Sequence, residues 1–132
     1  MATKILLVED TPETRDILTI LLEIQGFDVV VANNGYEGIK NAFSERPDII
    51  ITDLTMPRMN GVEMIKVLRS MPGWQNVPIL AVTAYGMEME QKAIMAGANR
   101  AMAQPVEAEL LIGYIKDLLK QKRPRTRKAS RS

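Results

Sequence analysis

The chain has 132 residues, 46% of them hydrophobic, with 17 Lys and Arg against 16 Asp and Glu, enough for one domain whose core needs no disulfide or structural metal. It contains no cysteine and no histidine, which excludes thiolate chemistry and any imidazole base, ligand or phosphoryl carrier of its own, and fits a reducing cytoplasm. Its apolar runs are too short to span a bilayer and its start, MATKILLVED, turns acidic without a signal-peptide pattern, so a cytoplasmic protein with no membrane partner is expected.

In chain order, KILLV (4–8) reads as a first strand, and Thr11-Pro12 as a helix start with Pro in the first turn. Ile17, Leu21 and Ile24 follow at helical spacing, with Gly26 marking the helix end. DVVVA (28–32) and DIIIT (48–52) are the next strands, and Val62, Ile65 and Leu68 mark the third helix. PILAVT (78–83) is a fourth strand, Gly97 closes the helix after it, and RAMA (100–103) is a weaker fifth strand before Leu111, Tyr114, Ile115 and Leu118 on the last helix. Five strand-then-helix units with short connections predict an α/β fold, a doubly wound five-stranded parallel sheet with helices on both faces. Residues 1–120 form the domain. The stretch 120–132 holds seven of the basic residues and no acid, leaving ten basic against 16 acidic residues, a formal −6, for the body. Residues 121–132 are read as a basic, disordered tail; without an aromatic or a recognition fold, it is not expected to bind nucleic acid.

In such sheets ligands bind beyond the carboxyl ends of the strands. Glu9 and Asp10 follow the first strand, Asp53 the third, Thr83 the fourth, and Gln104-Pro105 the fifth. Two carboxylates about 5 Å apart at an effective dielectric near 20 repel by roughly 3 kcal/mol, so three ionised acids need a cation or a raised pKa. An all-oxygen donor set favours Mg2+, which commonly bridges to phosphate. Asp53 is therefore read as a phosphoryl acceptor, with the Thr83 hydroxyl placed to donate to a phosphoryl oxygen and Ala84 leaving room for the group. Each acid taken singly is equally well a helix cap or turn former; their coincidence at matching strand ends favours the chemical reading.

The ordered set VED, DLTMPRMNG, AVTA (81–84) and QPV (104–106) closely resembles the receiver domain of two-component response regulators, the family that includes the single-domain chemotaxis regulator, over residues 4 to about 120. The resemblance implies a flavodoxin-like (βα)5 fold with strand order 2-1-3-4-5. It implies a phosphoryl group taken by Asp53 from a phosphohistidine on a sensor histidine kinase or histidine phosphotransfer protein. Glu9, Asp10, Asp53 and the Thr55 backbone carbonyl would hold Mg2+, and Thr83 would be the switch hydroxyl. Output would pass to an unknown downstream protein, from a monomer or weak homodimer. The Gln104-Pro105 bond is expected to be cis.

Two positions depart from the family. Gln104 stands where it has a lysine, and an amide donates hydrogen bonds without neutralising charge, at a cost of roughly 1 to 2 kcal/mol of phosphorylated-state stabilisation. Ala101 stands where it usually has Tyr or Phe; Tyr85 could move in its stead, but reads better as a surface aromatic packed on the fourth helix. These departures keep open a degenerate receiver that binds its partner without phosphorylation. A metal-dependent aspartyl phosphatase fits less well, since its nucleophile follows the first strand with a second Asp two residues on. A dinucleotide or flavin domain would need a Gly-rich turn after the first strand.

Overall fold

The computed structural model describes residues 2–131 apart from Pro57 and Tyr85, with side chains described as far as Gln121. Ten elements alternate: β1 (Lys4–Val8), α1 (Pro12–Ile24), β2 (Asp28–Ala32), α2 (Gly35–Glu45), β3 (Ile49–Asp53), α3 (Gly61–Ser70), β4 (Ile79–Thr83), α4 (Met87–Ala96), β5 (Arg100–Ala103) and α5 (Ala108–Arg131). The strands form one sheet in the order β2-β1-β3-β4-β5, every neighbouring pair parallel. The flavodoxin-like α/β arrangement expected from the sequence is the one observed. No helix among the described residues is long and apolar enough to cross a membrane.

The central strands are buried on both faces, which is why they read as unbroken apolar runs. Ile5, Leu7, Ile49, Ile51, Leu80 and Val82 point to one side and pack on Leu18 and Leu22 of α1 and Leu111, Ile115 and Leu118 of α5. Their neighbours Leu6, Val8, Ile50, Ile79 and Ala81 face the other side, against Ala42 of α2, Met64, Ile65 and Leu68 of α3, and Ala93 of α4. That alternation is the period-two geometry of a strand. Each large side chain so buried contributes about 1.5 to 3 kcal/mol.

Strand ends shift by a residue from their expected limits. β3 begins at Ile49 and extends through Asp53, which pairs in register with Val82. β4 begins after Pro78, whose carbonyl nevertheless accepts the Ile50 N–H at 3.0 Å. Pro12 opens α1, and Gly26 (φ +94°) turns the chain out of it, a conformation cheap only for glycine.

Of the three residues whose spacing marked α1, Leu21 packs half-buried on the core while the other two face outward. Ile17 and Ile24 are 66% and 74% exposed, whereas Leu18 and Leu22 are buried. Apolar residues at 17, 18, 20, 21, 22 and 24 satisfy helical periodicity in two phases, and the choice between them is made by how α1 docks on β1 rather than by its own pattern. Tyr85 and Ser132 lie outside the described residues, as do the side chains of 122–131 in the basic tail, so the expected disorder of 121–132 falls outside what is described.

Candidate functional site

The site grows out of the carboxyl ends of β1 and β3. Beyond Val8 the chain stays tied to the sheet, because the Glu9 N–H donates to the Ala32 carbonyl at 2.9 Å. The Glu9 side chain is therefore held inward, 4% exposed, and its Oε2 accepts the Thr11 N–H at 3.2 Å. Asp10, the next residue, is half-buried at the turn into α1. Asp53 is the last residue of β3; its Oδ1 accepts the Leu54 N–H at 2.8 Å, with the Thr55 N–H at a longer 3.5 Å. One carboxylate oxygen from each of Glu9, Asp10 and Asp53 lies within 4.8 Å of the others.

Strands β4 and β5 bring in the remaining residues singled out from the sequence. Thr83 ends β4, fully buried, in register with Ala103, and its carbonyl accepts the Gln104 N–H at 2.8 Å. The Gln104-Pro105 bond is cis, as expected. Gln104 is half-buried and borders a groove on the α1 side with Thr14, Ile17, Leu18, Pro105 and Val106. Ala101 is half-buried beside α4, bordering a groove of about 290 Å3 with Met87 and Ile94. Thr55 is exposed in the loop leaving β3.

The electrostatics follow from burial and crowding. Burial, then the charge of Asp53, raises the Glu9 pKa to about 7, against a smaller opposing effect of the Thr11 N–H. Asp53 is also raised, chiefly by burial, with the Thr55 and Leu54 N–H groups pulling the other way. At the observed spacing each pair of ionised acids repels by roughly 3 kcal/mol. Among the described residues the one ion pair, Lys4 with Glu45, lies at the opposite end of β1. The donor set is three hard oxygens with no nitrogen or sulfur, which fits Mg2+.

The floor of the site has a feature that sequence reasoning passed over. Asn60 and Glu63 form a reciprocal capping box: Asn60 Oδ1 accepts the Glu63 N–H at 2.9 Å and Glu63 Oε1 accepts the Asn60 N–H at 3.1 Å. Gly61, between them, donates its N–H to the Leu54 carbonyl at 3.1 Å. A Cβ at Gly61 would strike the Asp53 carbonyl oxygen and come within 2.9 Å of Leu54 Cα. The start of α3 is thereby pressed against the Asp53 backbone. The Asn-x-x-Glu spacing in NGVE was the available signal.

This geometry has known counterparts. The response regulator receiver domain model matches residues 5–116. An uncharacterized 14.6 kDa protein of Leptolyngbya boryana is 38% identical over 112 residues, covering 84% of this chain and 86% of that protein. The transcriptional regulatory protein CpxR homologue of Haemophilus influenzae is 35% identical over 120 residues, 90% of this chain but 51% of the relative, so the chain spans about half of such longer relatives. Among solved structures, chemotaxis protein CheY4 of Vibrio cholerae superposes with TM-score 0.84 at 29% identity, over 89% of this chain and 99% of that one. The receiver domain of sensor histidine kinase PA1611 from Pseudomonas aeruginosa, with a magnesium ion coordinated in its active site cleft, superposes with TM-score 0.85 at 26% identity, over 91% and 99%. With the family's fold, its match along the chain and an acidic cluster at the strand ends, this chain belongs to the response regulator receiver domain family of two-component phosphorelays, a signalling module rather than a true enzyme.

Proposed function

We propose that Asp53 accepts a phosphoryl group from a phosphohistidine on a sensor histidine kinase or histidine phosphotransfer protein in the cytoplasm. The observation that carries this is the convergence of three carboxylates within 4.8 Å at the end of the sheet where α/β folds bind ligands. An Asp53 carboxylate oxygen attacks phosphorus, the bond from phosphorus to the imidazole nitrogen breaks, and that nitrogen keeps the electron pair and takes up a proton. The product is an acyl phosphate. With no histidine in these 132 residues, the donor lies outside them, as a phosphohistidine or a small acyl phosphate.

Glu9, Asp10, Asp53 and the Thr55 carbonyl would hold Mg2+. Bound there, it would offset the negative charge of acid cluster and phosphoryl oxygens. The chain's own residues do the rest. The Leu54 N–H at 2.8 Å fixes one Asp53 oxygen and leaves the other for attack. Thr83 offers a hydroxyl on the adjacent strand, and exposed Ala84 leaves the approach open. Gln104 gives an amide in place of a fixed positive charge, so most of the charge compensation would fall to the divalent ion.

Intact-mass measurement after incubation with acetyl phosphate and Mg2+ tests the reading. Wild type should gain one phosphoryl mass and Asp53→Asn none; equal labelling would refute Asp53 as acceptor. The alternative, a degenerate receiver that engages its downstream protein without phosphorylation, is favoured by Gln104 and by Ala101, whose methyl has no rotamer with which to report the state of the site. It predicts no labelling of either form.

A further inference from the structure

Helix α4 is fastened to the molecule very unequally along its length. At its C-terminal end, the half-buried guanidinium of Arg69, on the last turn of α3, reaches three oxygen acceptors in the two connections α3–β4 and α4–β5. Its Nε donates to the Gly97 carbonyl at 2.9 Å, Nη1 to the Trp74 carbonyl at 2.6 Å, and Nη2 to Asn99 Oδ1 at 2.9 Å. Asn99 extends the connection into the sheet: its Oδ1 also accepts the Ile79 N–H, and its own N–H donates to the Ile79 carbonyl, both at 2.8 Å. The approach is close enough that a Cβ on Gly97 would lie 2.5 Å from Arg69 Cγ, and Gly97 has φ +126°.

Among the described residues the other end has no comparable polar fastening, and only Met89 of its first turn packs on the core. Gly86 precedes α4 without a side-chain cap, Met87 is 73% exposed, and the one fully buried α4 side chain, Ala93, sits a turn from Gly97. That loosely held end begins four residues after Thr83, at the end of the sheet that carries the acids.

We propose that Arg69 is a pin that fixes the C-terminal end of α4 to α3 and β4, so that α4 moves by pivoting near Gly97, its N-terminal half swinging at the site end of the sheet. A planar guanidinium suits this because its donors diverge in fixed directions toward three acceptors, whereas an ammonium on a flexible stem would hold them less rigidly. Local opening free energy should therefore differ along a single ten-residue helix. The pin does not depend on phosphorylation.

Amide hydrogen exchange on the full chain tests it. In wild type, the amides of 95–98 should exchange at least about tenfold more slowly than those of 90–92. Arg69→Met should raise exchange at 95–99 by about tenfold or more, losing charge-assisted hydrogen bonds, while leaving β1 and β3 unchanged. Arg69→Lys should give a smaller rise at the same residues. Gly97→Ala attacks the same contact from the α4 side and should reproduce the Arg69→Met pattern. Even protection along α4 in wild type would overturn the proposal. So would a rise spread equally over α4, β1 and β3 in the variants, which would make Arg69 a general contributor to stability.

Discussion

Replacing Glu9 with Gln isolates the strain within the acid cluster. In the folded protein Glu9 titrates at about 7 instead of 4.5, so between those values the native state binds a proton that the unfolded chain has released. Stability contributed by this group therefore falls as pH rises through that window and is level above it. A displacement of that size corresponds to about 3 kcal/mol. Urea unfolding followed by circular dichroism, in chelator, should show metal-free wild type losing about 3 kcal/mol between pH 4.5 and pH 7.5 relative to Glu9→Gln, with equal m-values for the two. Saturating Mg2+ should return the loss in wild type, since the ion binds the deprotonated form, and have little effect on the variant. Parallel stability curves for the two proteins across the window would refute the reasoning: Glu9 would then be ordinarily solvated or compensated, and the cluster under no electrostatic strain.

Other expectations concern packing and the switch. Leu22→Ala should cost about 2 to 5 kcal/mol and Ile24→Ala under about 1 kcal/mol in chemical denaturation, because only the first leaves a cavity; the reverse order would mean the docking phase of α1 is wrong. Asn60→Ala removes one side of the capping box and should cost about 0.5 to 2 kcal/mol, while an unchanged midpoint would show the box to be dispensable. Gln104→Lys should tighten beryllofluoride binding in the presence of Mg2+ by roughly 5- to 30-fold, the difference between a neutral and a charged hydrogen bond, measured by NMR titration; no change would mean that the site already compensates for the missing ammonium.

The fold was legible because strand burial leaves a local mark. Ile49 to Thr52 and Ile79 to Val82 are buried on both faces, so they appear as continuous apolar runs, and the residue that ends each run marks the functional end of the sheet. Asp53 and Thr83 were singled out in that way. The facing of α1 was not legible, since six apolar residues within eight positions give two equivalent stripes and only tertiary docking separates them. Nor was the Arg69 fork, whose acceptors are two main-chain carbonyls and an amide drawn from segments up to 30 residues away; carbonyls have no sequence signature. A cation or a raised pKa was foreseen for the cluster as a whole, but that Glu9 and Asp53 are both raised depends chiefly on their burial, which the sequence does not display.

The central claim is that Asp53 is the oxygen donor to phosphorus beside a divalent ion held by Glu9 and Asp10. A crystal structure after soaking in Mg2+ and beryllofluoride tests it most directly. The expected density is a tetrahedral fluoroberyllate bonded to an Asp53 carboxylate oxygen, with the ion coordinated by Glu9, Asp10, Asp53 and the Thr55 carbonyl. An adduct on any other acid, or none under conditions that saturate another receiver, would contradict it.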